Sequence, residues 1–447
     1  MSRQNRREFL NTASGLAAGG LAAHLAAGVY AADDVKKERP PIKLAIMGVN
    51  NRGKQLLPGF VEFPEVEIAY ICDPDSETIP AAIKIVEDGG KPTPRIEKDF
   101  RVALDDPSVT ALVCAAPDHW HALATILACQ AGKDVYVEKP CCHNPIEGQR
   151  MVAAARRYNR VVQVGTQRRS GVDMAVMIKE IQSGRIGKIN FVRCWISSER
   201  PNIGHAEPAA PPENLDFNLW CGPAPDKAYR KNLVHYHWHW RWDYGTGECG
   251  NNGIHALDLA RWGLGFDYPD MVACGGGKYF FDDDQETPDT QLAVFEVQGA
   301  NSSASIQWEH RTWSPRGVDG ESFGVEFYGS LGTLITNGRG WVIYEGAGKN
   351  EKVTARHEAS ELERAHKTNF LDCIASREKP NADVEIAHRS TLLCHLASIA
   401  WRTRSVVKFD KERETIVGNA AATQLMGRTY RKGFELPEIA CPPTPRP

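Results

Sequence analysis

Apolar and polar positions alternate in blocks along the first third of the chain. Ile42–Met47 is a short apolar run, Gly48-Val49-Asn50-Asn51-Arg52-Gly53 follows, and helical spacing continues through Phe60. A second apolar run, Val66–Cys72, ends at Asp73. Residues 99–105 suit a short helix, and 110–116 form an apolar strand leading into Pro117-Asp118-His119-Trp120-His121. A helix over 122–131 precedes the strand Asp134–Val137, which delivers Glu138-Lys139-Pro140. Asn144-Pro145-Ile146-Glu147 has an N-cap, a proline at N1 and an acid at N3, and opens a helix to about Tyr158. An apolar stretch at 161–164 closes the set. Strands alternating with helices predict an α/β fold with a Rossmann-like parallel sheet and right-handed crossovers.

From about Thr166 the pattern changes. Ile189–Ser197, 291–297, 303–309 and 325–328 are strand-like and joined by polar or Gly-rich turns. Helical spacing remains at 174–183, 254–263, 367–376 and about 387–402. This predicts an α+β second domain with a large, mostly antiparallel sheet. The expected division is 41–165, 166–420 and a C-terminal tail at 421–447.

The chemistry clusters where strands end. Gly48 to Gly53 has the layout of the dinucleotide fingerprint, with Asn50 where the second glycine belongs. Asn tolerates left-handed backbone angles better than most residues, which keeps the turn plausible. Gly48, Asn50, Asn51, Arg52 and Gly53 are therefore candidate cofactor residues. Asp73 can accept hydrogen bonds from ribose hydroxyls and would repel a 2′-phosphate, favouring NAD over NADP; a plain turn at Asp73-Pro74-Asp75 is the alternative. Pro117, His119 and His121 follow a strand end and so fall on the cofactor face, or His119 and His121 are structural. Lys139, also at a strand end, is placed to touch substrate.

The run His235-Tyr236-His237-Trp238-His239-Trp240-Arg241-Trp242-Asp243-Tyr244 is densely aromatic. As a strand it would put three histidines on one side and invite a metal. No nearby Cys or carboxylate pattern completes such a site, and no metal is expected. Flat ring faces that suit sugar C–H surfaces make Trp238, His239, Trp242 and Tyr244 candidate substrate residues; rings simply packed in a core are the alternative.

Composition narrows the partners. With 447 residues, 24% charged, 42% hydrophobic and a net charge of -3, the chain has no push toward nucleic acid or an anionic membrane. The first 32 residues stand apart. Arg6-Arg7-Glu8-Phe9-Leu10 is a twin-arginine pattern, a weakly apolar run follows from about Ala13 to Val29, and Val29-Tyr30-Ala31 offers small-residue cleavage chemistry. Residues 1–32 are read as a signal for the Tat export machinery, which implies a periplasmic location. A membrane anchor is the alternative, opposed by several glycines, His24 and modest hydrophobicity. Among the 12 cysteines no pair has C-x-x-C or zinc-like spacing, and Cys141-Cys142 are read as free thiols packed near the site.

These residues resemble the Gfo/Idh/MocA family of glucose-fructose oxidoreductase, inositol dehydrogenase and relatives. The resemblance covers roughly Ile42 to Asp410 and rests on Glu138-Lys139-Pro140 after a Rossmann-like start and on Gly253-Ile254-His255-Ala256-Leu257-Asp258. It implies that Lys139 sits beside the nicotinamide and the reacting hydroxyl, that His255 is the acid/base, that Glu138 holds the cofactor or its loop, and that His121 lies near the nicotinamide ribose. It also implies assembly through the second-domain sheet into a homo-oligomer. One position departs: where family dehydrogenases often carry an aspartate four residues before the histidine, this chain has Asn251. A neutral amide can orient a ligand but adds no charge. The expected activity is NAD-dependent hydride transfer at a sugar, polyol or glycoside CH–OH. The alternatives are glycoside cleavage or isomerisation through transient oxidation, and a non-catalytic sensor.

Overall fold

The computed structural model describes residues 39–299, 303–346 and 350–439. The expected export signal, 1–32, and the end of the expected tail lie outside the described residues. From Pro41 onward the chain forms one compact unit built on two sheets.

The first sheet is entirely parallel: β1 (Ile42–Met47), β2 (Val66–Cys72), β3 (Arg95–Glu97), β4 (Ala111–Cys114), β5 (Asp134–Val137) and β6 (Val162–Val164), in the order β3-β2-β1-β4-β5-β6. Its central strands are buried on both faces, as a sheet covered by helices on each side must be. Period-two alternation sorts the side chains. Ile42, Leu44, Ile46, Val113 and Tyr136 pack on Leu56, Leu57 and Phe60 of the helix Arg52–Val61. Ala45, Met47, Leu112, Cys114, Val135 and Val137 face the helices Asp118–Gln130 and Pro145–Arg157. The first face is completed from far along the chain by Phe370, Leu371 and Ile374 of the helix Leu362–Ser376.

The predicted capping box is half formed: the Glu147 N–H donates to Asn144 Oδ1 at 3.1 Å, but Glu147 Oε2 accepts from the N–H of His143, one residue before the cap, at 2.8 Å. In this first part of the chain the helix Ile79–Asp88 and the edge strand β3 went unpredicted. The helix expected at 122–131 starts earlier, at Asp118, so His119 and His121 lie inside it.

The second sheet has ten strands. In chain order they are β7 (Ile189–Ser197), β8 (Pro269–Gly277), β9 (Thr290–Gln298), β10 (Ser303–Arg311), β11 (Phe323–Gly329), β12 (Gly332–Thr336), β13 (Gly340–Glu345), β14 (Lys352–Glu358), β15 (Val407–Asp410) and β16 (Thr415–Val417). Their spatial order is β14-β13-β12-β11-β7-β10-β9-β8-β15-β16, antiparallel except for β7 beside β10. Burial alternates strictly along β9 and β10. The inner residues Phe295, Val297, Ile306 and Trp308 share a core with the helices Val172–Gln182, Ile254–Leu264 and Val384–Thr403. The segment after 420 returns to the parallel sheet, where Leu436 and Ile439 join its core.

The aromatic run is not a strand. It forms a 3-10 turn, His237–Trp240, between irregular segments, so its three histidines do not share a face. His235 Nε2 meets Asp75 Oδ2 at 2.6 Å, whereas His239 Nδ1 donates to the Tyr236 carbonyl at 2.6 Å.

Candidate active site

A cleft opens at the carboxyl ends of β1, β4 and β5, where the strand order reverses between β1 and β4. This is where open α/β sheets bind ligands. Its floor is the turn after β1. Gly48 has φ +83°, and a Cβ there would lie 2.8 Å from the Ala116 nitrogen. A Cβ on Gly53 would lie 1.9 Å from the Gly48 carbonyl oxygen. The first glycine is required by conformation and the last by close helix packing, the roles these positions have in a dinucleotide turn. Asn50 lines the cleft but keeps a negative φ, so the left-handed tolerance expected of it is not used. Asn51 caps the helix Arg52–Val61 with no side-chain bond to its backbone N–H groups (its Oδ1 accepts from Gln55 Nε2 at 3.0 Å instead), which leaves first-turn N–H groups for an anion.

Asp73 lines the same cleft and is buried. Its Oδ2 accepts from the Val49 N–H at 2.8 Å and its Oδ1 from the Asp75 N–H at 3.0 Å. Burial raises its pKa against those two bonds. Each oxygen keeps a second acceptor site. Arg52 Nε donates to Glu138 Oε1 at 2.8 Å, and its Nη2 to Glu363 at 2.9 Å. Glu138 Oε2 also accepts from the Lys139 N–H at 3.2 Å, so this carboxylate ties the loop after β5 to the helix after β1.

Lys139 Nζ donates to the Asn251 carbonyl at 2.7 Å and to Asn251 Oδ1 at 3.0 Å. Burial pulls its pKa below the usual lysine range, opposed by Glu138, Asp118 and Glu248. His255 follows Asn251 at the start of the helix Ile254–Leu264 and does not itself line the cleft. Its Nδ1 is buried without a partner. Burial, with the charges of Arg168, Lys139 and Arg52, holds its pKa well below the ordinary value. A neutral imidazole is the form that can take a proton.

Pro117 and His121 line the cleft, and His121 spans the carbonyls of Pro140 (Nδ1, 2.7 Å) and Ala116 (Nε2, 2.8 Å). His119 is instead enclosed by Trp220 and Tyr244. Trp238 and His239 stack with ring centroids 3.6 Å apart and, with Tyr236 and Asn251, form the opposite wall. Trp242 and Tyr244 do not reach the cleft. The turn closed by the Tyr244 N–H on the Arg241 carbonyl carries them past it. Tyr244 then packs with Trp220 in an apolar cluster that reaches the cleft only through Trp220 and Trp238, while Trp242 lies against Trp401 and Arg402. Cys141 and Cys142 are free and fully buried, their sulfurs 3.6 Å apart.

Two buried carboxyls escaped the sequence reading. Asp118 lines the cleft, accepts from Thr246 Oγ1 at 2.7 Å, and is pushed up to about 7 by burial. Its signal was its place directly after a strand end. Glu248 is buried three residues before Asn251. Its signal was an acid in an otherwise neutral Gly/Asn/Cys segment.

A glycine turn, a helix N-terminus, a carboxylate at the end of β2 and a lysine at the end of β5 make this a cleft of the dinucleotide-binding type. Residues 42–166 match a family model described as an oxidoreductase family, NAD-binding Rossmann fold, and 180–275 with 347–436 match its C-terminal alpha/beta domain. The chain belongs to the Gfo/Idh/MocA oxidoreductase family. Among curated proteins it is similar to a glycosyl hydrolase family 109 protein of Saccharopolyspora erythraea, 29% identical over 42% of this chain and 46% of that one. It is also similar to levoglucosan dehydrogenase of Pseudarthrobacter phenanthrenivorans, 27% identical over 37% of this chain and 36% of the other. The matched stretch thus spans less than half of each of these two relatives. A levoglucosan dehydrogenase solved in complex with NADH shares the fold, with a TM-score of 0.63 at 16% identity over 82% of this chain and 98% of that one.

Proposed function

We propose that the protein transfers a hydride between a CH–OH carbon of a sugar, polyol or glycoside and NAD. The observation that carries this reading is Lys139. It projects from the end of β5 into the cleft that also holds the glycine turn and Asp73, with His255 one helical turn beyond its partner Asn251. NAD, when bound, supplies the hydride acceptor. The turn at Gly48, the helix N-terminus at Arg52 and Asp73 would hold its pyrophosphate and ribose. Lys139 would polarise the substrate oxygen and stabilise the negative charge that develops there, and His255 Nδ1 or Nε2 would take the hydroxyl proton. Trp238 and His239 would offer ring faces to the sugar.

A second reading has a specific observation behind it, the similarity to a glycosyl hydrolase family 109 protein. In it the substrate is oxidised, loses its leaving group and is reduced again, with no net redox change. The twin-arginine segment supports export to the periplasm, where a retained cofactor must be recycled in place; assembly through the ten-stranded sheet into a homo-oligomer completes the proposal. The test is to purify the chain, release and weigh any retained nicotinamide cofactor, and then follow nicotinamide absorbance with a sugar and glycoside panel. A product lighter by two hydrogens supports oxidation, and a released aglycone supports cleavage. Failure to bind NAD at all overturns both.

A further inference from the structure

Lys139 reaches a buried carboxylate by way of an amide rather than by direct contact. Asn251 accepts from Nζ through Oδ1 at 3.0 Å and turns its Nδ2 toward Glu248 Oε2 at 3.5 Å. The cation at one end and the anion at the other fix which way this amide points. Glu248 Oε1 accepts from Asn252 Nδ2 at 2.6 Å and from Arg200 Nη2 at 3.2 Å. Arg200 is itself shared, since its Nη1 donates to the Tyr236 hydroxyl at 2.8 Å. Glu248, only 1% exposed, immediately precedes a π-helical turn, Cys249–Gly253, a feature that often marks functional sites.

We propose that Glu248 is a positioning residue which, acting through the Asn251 carboxamide, adds negative charge to that of Glu138 and Asp118 and so helps hold Lys139 in the cleft as an ammonium. The proposal rests on the reading of Lys139 as the group that polarises substrate. It answers the absence of a carboxylate at 251: the charge comes from one turn earlier and is passed on by the amide dipole. The other groups facing Lys139 are Glu138 on its own loop, Asp118 and His121 from the helix Asp118–Gln130, Arg52 from the first helix, His239 from the aromatic turn and His255. Those facing Glu248 are Arg200 after β7, Tyr236 and His310 of β10. An anion favours the charged form of a nearby amine, so neutralising Glu248 lets Lys139 lose its proton at lower pH.

The experiment is to label the full-length chain with trace acetic anhydride across a pH series and read acetylation of the Lys139 peptide by mass spectrometry. Glu248→Gln should move the labelling midpoint down by roughly 0.5 to 1 pH unit, and Glu248→Asp should restore it. In an Asn251→Ala background, Glu248→Gln should shift it by less than half as much, because the link is already broken. A folded Glu248→Gln chain with an unmoved midpoint overturns the proposal and leaves Glu248 as a structural partner of Arg200. Should Glu248→Gln not fold, Glu248→Gln in an Arg200→Gln background, compared with Arg200→Gln alone, decides: a lowered midpoint supports the relay and an unchanged one overturns it. Full activity in Lys139→Ala would instead sink the catalytic role of Lys139, while the midpoints would still report on the relay.

Discussion

Replacing Asp73 with Ala is expected to weaken NAD binding by about 10²-fold. The carboxylate is held by two backbone donors, Val49 N–H at 2.8 Å and Asp75 N–H at 3.0 Å, and presents its remaining acceptor sites to the cleft. Two ribose hydroxyls bonding to an ionised acceptor contribute about 1.5 kcal/mol each at the low end. Losing both gives about 3 kcal/mol, or roughly two orders of magnitude in Kd. The same substitution strands two buried N–H groups at about 1–3 kcal/mol each, so the melting temperature should fall as well. Asp73→Asn separates the effects, because it keeps one acceptor oxygen but no charge; it should lie between wild type and Ala in both measurements. Removing the anion should also narrow the preference for NAD over NADP. Calorimetric titration of NAD and NADP, with thermal melts of the same preparations, reads all three. A folded Asp73→Ala chain that melts lower yet binds NAD like the wild type would refute the reasoning and leave Asp73 as a brace for the Gly48 turn.

Lys139→Ala should lower turnover by about 10²-fold or more with NAD still bound; retained turnover in steady-state assays would remove Lys139 from the chemistry. Gly48→Ala combines a left-handed φ of +83° with a Cβ 2.8 Å from the Ala116 nitrogen. It should cost about 1–2 kcal/mol from the backbone angle alone and abolish tight NAD binding, so unchanged affinity in calorimetry would contradict the assigned turn. Asp118 titrates in the fold at about 7, against about 3.9 unfolded. Its raised pKa contributes stability in full below the unfolded value, and that contribution is lost as pH rises toward about 7. Asp118→Asn mimics the protonated form, so the difference in Tm, variant minus wild type, should be more positive at about pH 8 than at about pH 5; a constant difference would contradict the shift.

The parallel sheet was legible because its strands carry the signal that reading depends on. Ile42–Met47 and Val66–Cys72 are apolar runs, each interrupted only by one charged residue (Lys43, Glu67), with polar turns at their ends, and their observed limits agree with the reading. Strands in the second sheet were found where a long run carries the pattern, as in β9 and β10, and missed where the strand is short, as in β12 and β15, or carries no pattern. Lys352–Glu358, in β14, is exposed along almost its whole length, and Pro269–Gly277, in β8, ends in three glycines. Neither has a hydrophobic pattern to read, since each is held by its neighbour's backbone. The helix Ile79–Asp88 was readable in principle, with Pro at its start and Ile79, Ala82 and Val86 on one face.

The site was legible along the chain but not across it. Gly48, Asp73, Glu138 and Lys139 each sit within a few residues of a strand end, so their convergence followed from the fold class alone. The aromatic run has no such rule. Spacing of two would put its three histidines on one side of a strand, yet the backbone turns at Trp238 and again at Arg241, and only the first part of the run reaches the cleft. Asn251 shows the same limit in electrostatic form. Read by position, it removes a charge from the family's catalytic set. Read in space, its amide is polarised between Lys139 and Glu248, so the neutral residue carries an electrostatic contact instead of breaking one. Net charge near a lysine is set by which carboxylates the fold brings within reach, and at this site one of them sits just before a π-helical turn that the sequence does not reveal.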